Sequence, residues 1–116
     1  MTLDFIEYDV QGITVLRLTG RLILGEATAK FRKLIRDTLE QNKKQIVLNM
    51  SEVYFVDSSG LGELVSAYTA VTNQGGRLKL LKLTQRVQDL VQLTKVYRIL
   101  EVYDDEQKAF ESFSQT

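Results

Sequence analysis

Apolar positions change their period several times along the chain, and each change marks a new element. The stretch from Asp4 to Asp9 and the following GITVLRLTG carry β-branched and aliphatic residues in a strand-like pattern, which predicts two strands joined at Gln11-Gly12. In the second of these, Ile13, Val15, Arg17 and Thr19 share one face while Thr14, Leu16 and Leu18 share the other. RLIL, after Gly20, reads as a short additional strand. From Glu26 the period lengthens: Ala27, Phe31, Leu34, Ile35, Thr38 and Leu39 recur at three and four, leaving Arg32, Lys33, Arg36 and Asp37 to solvent, so a helix is expected to end near Asn42.

QIVLNM is short, apolar and bounded by polar residues, as a strand buried on both faces would be. A second helix then presents Leu61, Leu64, Val65, Tyr68, Val71 and Thr72 on one side and stops at NQGG. RLKLLKL is the next strand, Thr84 caps a helix carrying Val87, Leu90, Val91 and Thr94, RILEVY is a further strand, and DDEQKAFESF closes with a short amphipathic helix. Strands alternating with helices after an opening hairpin imply parallel pairing through right-handed crossovers. The expected fold class is therefore α/β, with a mixed, mostly parallel sheet, an N-terminal antiparallel hairpin and about four helices in one domain over residues 1–116.

Composition narrows the chemistry more than it narrows the fold. The chain has 116 residues, 44% of them hydrophobic and 26% charged, in the range of an ordinary globular domain. No apolar run is long enough to span a bilayer, and the opening MTLDFIEYDV lacks the basic start of a secretory signal, so a cytoplasmic protein without membrane insertion is expected. Fifteen basic residues balance fifteen acidic ones without long runs of one sign, which speaks against direct nucleic-acid binding. With no cysteine and no histidine, thiolate chemistry, most zinc sites and every Ser-His-acid triad are excluded. The acidic run at Asp104, Asp105 and Glu106 reads as a helix start compatible with the dipole rather than as a metal site. No cofactor is expected.

The chemically suggestive stretch is YFVDSSGLGELVSAY, residues 54–68, and its two adjacent serines admit three readings. Asp, Ser and Gly are the residues a strand-to-helix connection uses as caps, at ~1 kcal/mol each. A nucleophilic serine would need a base within reach, and Asp57 is too weak a base and poorly placed beside its own neighbour; the glycine that opens a Gly-x-Ser-x-Gly elbow is missing as well. Nor is there a Gly-Lys-Ser/Thr phosphate loop, and Val65 stands where a third glycine of Gly-x-Gly-x-x-Gly would fall. In the third reading the serine is a substrate: a hydroxyl at an exposed helix start could accept a phosphoryl group, with roughly −1.5 to −2 of new charge held by free amides and the helix dipole. Asp57 and Glu63 would make the modified surface strongly negative. Val53, Tyr54, Phe55 and Val56 lead into this stretch as an apolar run that either packs inward or contributes to docking.

VDSSGLG between a buried strand and an amphipathic helix resembles the signature of the STAS domain, and most closely that of stand-alone anti-sigma factor antagonists of bacterial partner-switching systems. The similarity extends over LTGRL, IVLNMSEVYFVDSSGLGELVSAY, GGRLKLL and VQDLVQLTKVYRILEVYDDEQKAF. It implies a non-enzymatic switch, a STAS-like fold and a monomer when free. In such proteins the unphosphorylated antagonist binds an ATP-using anti-sigma factor serine kinase and so releases a sigma factor; the kinase phosphorylates the antagonist, and a PP2C-type phosphatase restores it. The acceptor by this resemblance is Ser58, and Asp57, Ser58, Ser59, Gly60, Leu61 and Gly62 form the partner-facing loop and helix start. One departure is visible: many members have an aspartate where this chain has Ile23, in GRLI, near the expected kinase interface. The alternative is a STAS scaffold or accessory subunit of a transporter or stress-sensing complex that is not phosphorylated.

Overall fold

The computed structural model describes residues 3–114. Five strands form one sheet in chain order: β1 (Asp4–Val10), β2 (Ile13–Leu22), β3 (Gln45–Val56), β4 (Arg77–Leu81) and β5 (Glu101–Tyr103). β1 and β2 are antiparallel, and the remaining neighbours are parallel. The helices are α1 (Glu26–Glu40), α2 (Ser58–Asn73), α3 (Gln85–Thr94) and α4 (Glu106–Glu111). The mixed sheet, opening hairpin and four helices are those the residue pattern implies.

The hairpin closes through Gln11 and Gly12, both at positive φ (51° and 86°), the two-residue turn whose twist matches that of paired strands. β2 does not end at Gly20 as the sequence suggested. Gly20, at φ 117°, stays in the ladder opposite Val53, and RL completes the same strand up to Leu22. β3 runs on past QIVLNM to Val56 and carries two register shifts against β2, so it contains more residues than the strand beside it. RILEVY is shorter than expected as a strand: Val96–Arg98 form a 3-10 turn entered through Lys95 in the left-handed region, and only Glu101–Tyr103 pair with β4.

Two packed layers follow from the alternation of β side chains. On one face Leu16, Leu48, Leu80 and Val102 stand in a continuous cross-strand row beneath α1, α2 and α3. Each of the three leucines is fully buried, worth roughly 1.5–3 kcal/mol apiece relative to exposure. Phe31 of α1, Leu64 and Val71 of α2, and Val87 and Val91 of α3 close over that row. Thr72, expected on the same side of α2, is instead exposed, and Ala67 takes the inward position. The opposite face is covered more sparsely, by Ala109 and Phe110 of α4 and by Phe113 against Ile13, Val15, Val47 and Leu81.

On that second face the row from Val15 through Val47 to Glu101 contains a buried charged residue, Lys79. It is 4% exposed, with its ammonium 4.9 Å from the Phe113 ring centre, 5.6 Å from that of Tyr103 and 3.1 Å from the Glu101 carboxylate. Burial of a lysine is tolerable here because its charge keeps a carboxylate partner and two aromatic faces. No helix among the described residues is long and apolar enough to cross a membrane.

Candidate functional site

The double serine lies at the C-terminal end of β3, where the sheet hands the chain to α2. Val56 is buried and Asp57 caps the helix: its extended backbone (φ −93°, ψ −177°) turns the carboxylate back so that one oxygen accepts from the Gly60 amide at 2.7 Å. The other oxygen accepts from the amide of Leu24 at 2.9 Å, in the loop between β2 and α1. The Asp57 amide in turn donates to the Leu22 carbonyl at 3.3 Å, and its carbonyl accepts from Leu61 at 2.9 Å. The amides of Leu24 first and Gly60 second hold the Asp57 carboxyl below the usual carboxylate range, because both stabilise the ionised form.

Gly60 is required by close approach. A β-carbon there would sit 2.0 Å from the Leu22 carbonyl oxygen, so only a hydrogen lets the helix start reach the end of β2. Gly62, two residues on, faces open space with nothing within 4 Å. The six residues of the motif therefore divide by position: Ser58 and Gly62 are exposed, Asp57 and Ser59 half-buried, Gly60 and Leu61 buried and shaping the turn from within. Among the described residues the Ser58 hydroxyl has no hydrogen-bond partner.

The two serines differ in what surrounds them. Residues four apart share a helix face, so Ser58 lies on the same face as Gly62, whereas Ser59 lies on the same face as Glu63. Glu63 is clasped by Arg32 of α1, whose Nε and Nη2 reach its two oxygens at 3.3 and 2.5 Å. That bond and the carboxylate charge raise the Arg32 pKa further above its already high value. Beyond this clasp a groove of about 570 Å³ runs between α1 and α2 over Phe31, Ile35, Leu39, Ala67 and Ala70; neither Asp57 nor Ser58 lines it.

As a proton acceptor for Ser58, Asp57 is poor, since both its oxygens are engaged and its basicity is lowered. The same geometry alters the expected fate of a phosphate. The Gly60 amide that could have received one is already taken by Asp57, so a phosphoryl group on Ser58 would stand next to a carboxylate, with the helix dipole as compensation.

Of the apolar residues preceding the motif, Val53 and Val56 are buried, Phe55 is half-buried beneath the Arg86 guanidinium at 5.6 Å, and Tyr54 is 46% exposed. Leu24 is 74% exposed beside the Asp57 contact, next to a half-buried Ile23. Sequence reasoning missed Leu24, Leu22 and Arg32. The first two act through main-chain atoms, which leave no residue-type signal, and the third comes from another helix 31 residues away. In the acidic run, Asp105 caps α4 by accepting from the amides of Gln107 and Lys108.

The chain belongs to the STAS domain family, whose model matches residues 7–109. It is 28% identical over 101 residues to an anti-sigma F factor antagonist of Paenibacillus polymyxa, covering 85% of each chain. It is also 28% identical over 96 residues to an anti-sigma-B factor antagonist of Bacillus subtilis, covering 83% of each. Among solved structures, a candidate anti-sigma factor antagonist from Thermotoga maritima superposes with a TM-score of 0.88 at 27% identity, over 96% of this chain and 95% of that one. The Bacillus cell fate determinant SpoIIAA, solved in unphosphorylated and phosphorylated forms, shares the fold, each with a TM-score of 0.70, at 24% and 22% identity.

Proposed function

We propose that this protein is an anti-sigma factor antagonist of the cytoplasm, working as a binding switch rather than an enzyme, with Ser58 as its phosphoryl acceptor. In its unmodified form it binds an anti-sigma factor that is also a serine kinase, and a PP2C-type phosphatase reverses the modification. The observation that carries this reading is the combination at residue 58: an exposed, unpartnered hydroxyl on the first residue of α2, in a backbone held by Asp57, Gly60 and Leu22 rather than by the serine itself. Modification thus alters the surface without removing a structural contact.

The transfer balances simply. The Ser58 oxygen forms a bond to the γ-phosphorus of the kinase's ATP, the bond to the ADP oxygen breaks, and the hydroxyl proton leaves to a base on the kinase. Ser58 is favoured over Ser59 because its approach crosses Gly62, whereas Ser59 faces the Glu63–Arg32 pair. Desolvating a dianion in an interface costs several kcal/mol, and even ~3 kcal/mol weakens binding more than a hundredfold.

Incubation with the cognate kinase and ATP, followed by peptide mass spectrometry, is expected to place a single phosphate on Ser58. By calorimetry Ser58→Asp binds the kinase more weakly than Ser58→Ala, both with the wild-type fold; equal affinities would remove the mechanism. Ile23, apolar where the family resemblance implies an acid, favours a second reading, an unmodified STAS scaffold or accessory subunit. Tight binding to the partner with no phosphate incorporated would select it.

A further inference from the structure

We propose that residues 105–114, α4 with the 3-10 turn after it, form a salt-sensitive strap that unfastens from the sheet as a unit while the rest of the fold stays closed. The inference is independent of the reading of Ser58.

The strap rests on a small second core. Of its described residues only Ala109 and Ser112 are buried, while Phe110 and Phe113 are half-buried. The cluster they complete, Ile13, Val15, Val47 and Leu81, lies on the opposite face of the sheet from the large core under α1, α2 and α3. The strap joins the sheet at Tyr103 through the bend at Asp104, so lifting it uncovers the small cluster and leaves the large one intact.

Packing beneath the strap is incomplete. An open cleft of about 840 Å³ between α4 and the hairpin turn reaches Val10, Ile13 and Gln45, and the buried Oε1 of Gln45 has no hydrogen-bond partner among the described residues. An unsatisfied buried acceptor weighs against the closed form, since opening returns it to water.

Charge holds the strap down. β4 turns Arg77, Lys79 and Leu81 toward it, and Lys82 follows. At one end Arg77 donates through Nη1 to the main-chain oxygens of Phe113 at 3.0 Å and Ser112 at 3.5 Å. Lys79 lies 4.9 Å from the Phe113 ring centre, and at the other end Lys82 lies 3.8 Å from Glu106. These three bases face a segment in which Asp104, Asp105, Glu106 and Glu111 outnumber the single base Lys108. The Debye length is about 30 Å at 0.01 M salt and about 3 Å at 1 M, so every acid of the strap feels the three bases in dilute salt and only touching groups do in concentrated salt. Lys79 keeps Glu101 at 3.1 Å when Phe113 leaves, so opening strands no buried charge.

Amide hydrogen exchange of the full chain, read by NMR at 10 mM and 1 M sodium chloride, tests the strap. The Ala109 and Ser112 amides, bonded to the Asp105 and Lys108 carbonyls, are expected to show protection about tenfold or more below that of Leu34 and Ile35 in α1. In 1 M salt their protection should fall about threefold further while that of α1 holds. Lys82→Glu, an exposed change that sets like charges together at Glu106, should loosen the strap in 10 mM salt and remove most of its salt response. Phe113→Ala should loosen it in both salts without touching α1. Equal protection in strap and α1, which means release only by global unfolding, overturns the proposal. So does a strap that ignores salt, a Lys82→Glu strap as protected as wild type, or a Phe113→Ala chain whose α1 loses as much protection as its strap.

Discussion

Replacing Gly60 by alanine tests the contact that sets the start of α2. The new β-carbon would lie 2.0 Å from the Leu22 oxygen and 2.9 Å from the Leu22 carbonyl carbon, and neither can rotate away because both are main chain. Carbon–oxygen contacts settle near 3.3–3.6 Å, so β2 and α2 must part by roughly 1.3 Å or more. Overpacking of this kind costs about 3 kcal/mol at the upper end of its usual range. The displacement also strains the Asp57 bonds to Leu24 and Leu22, at about 1 kcal/mol each, while alanine returns about 1 kcal/mol through helix propensity. The net loss is about 4 kcal/mol. Gly62→Ala supplies the control: in the same helix, facing open space, it should gain about 0.5–1 kcal/mol. In urea, where small domains lose about 1–3 kcal/mol per molar, the two variants' midpoints should lie on opposite sides of wild type and differ by more than about 1 M. A Gly60→Ala protein as stable as wild type would refute the close approach and the account of the motif built on it.

Asp57→Asn keeps an acceptor for the Gly60 amide but loses the charge. A carboxyl with a folded pKa below its unfolded value contributes stability above the unfolded value, near 4, and that contribution disappears as pH falls through the folded one. The variant should therefore be less stable at neutral pH, with the gap closing below about pH 4; a constant gap in denaturation midpoint down to pH 3 would contradict this. Lys79→Met keeps contact with Phe113 and Tyr103 and leaves Glu101, 47% exposed, able to return to water, so its unfolding free energy should stay within about 1 kcal/mol of wild type, whereas Lys79→Ala should lose about 2–3 kcal/mol. Thr84→Ala removes the cap on Val87 and the bond to the Val53 carbonyl, and thermal denaturation should register a loss of about 1 kcal/mol.

Periodicity was informative wherever one face of an element is buried. α1 shows this best: Phe31, Leu34, Ile35, Thr38 and Leu39 are all buried at the positions their spacing indicates. It failed where tertiary pairing overrides local preference. Gly20 looks like a break, yet the ladder to Val53 carries β2 through it. Arg98 and Ile99 look strand-like, yet the left-handed turn at Lys95 directs the chain into a 3-10 turn first. At the candidate site the cap was legible because Asp57 and Gly60 are close in sequence. The tie from Asp57 to Leu24 was not, since it spans 33 residues and ends on an amide that every residue but proline possesses.

The seat of Gly60 against Leu22 also limits how news of a modification could travel. With the first turn of α2 wedged onto the neighbouring strand and pinned to the following loop, a group added at Ser58 has little slack through which to push the rest of the molecule. A partner must then sense the added group by touching it, and a receptor seated elsewhere on the sheet would receive almost no message.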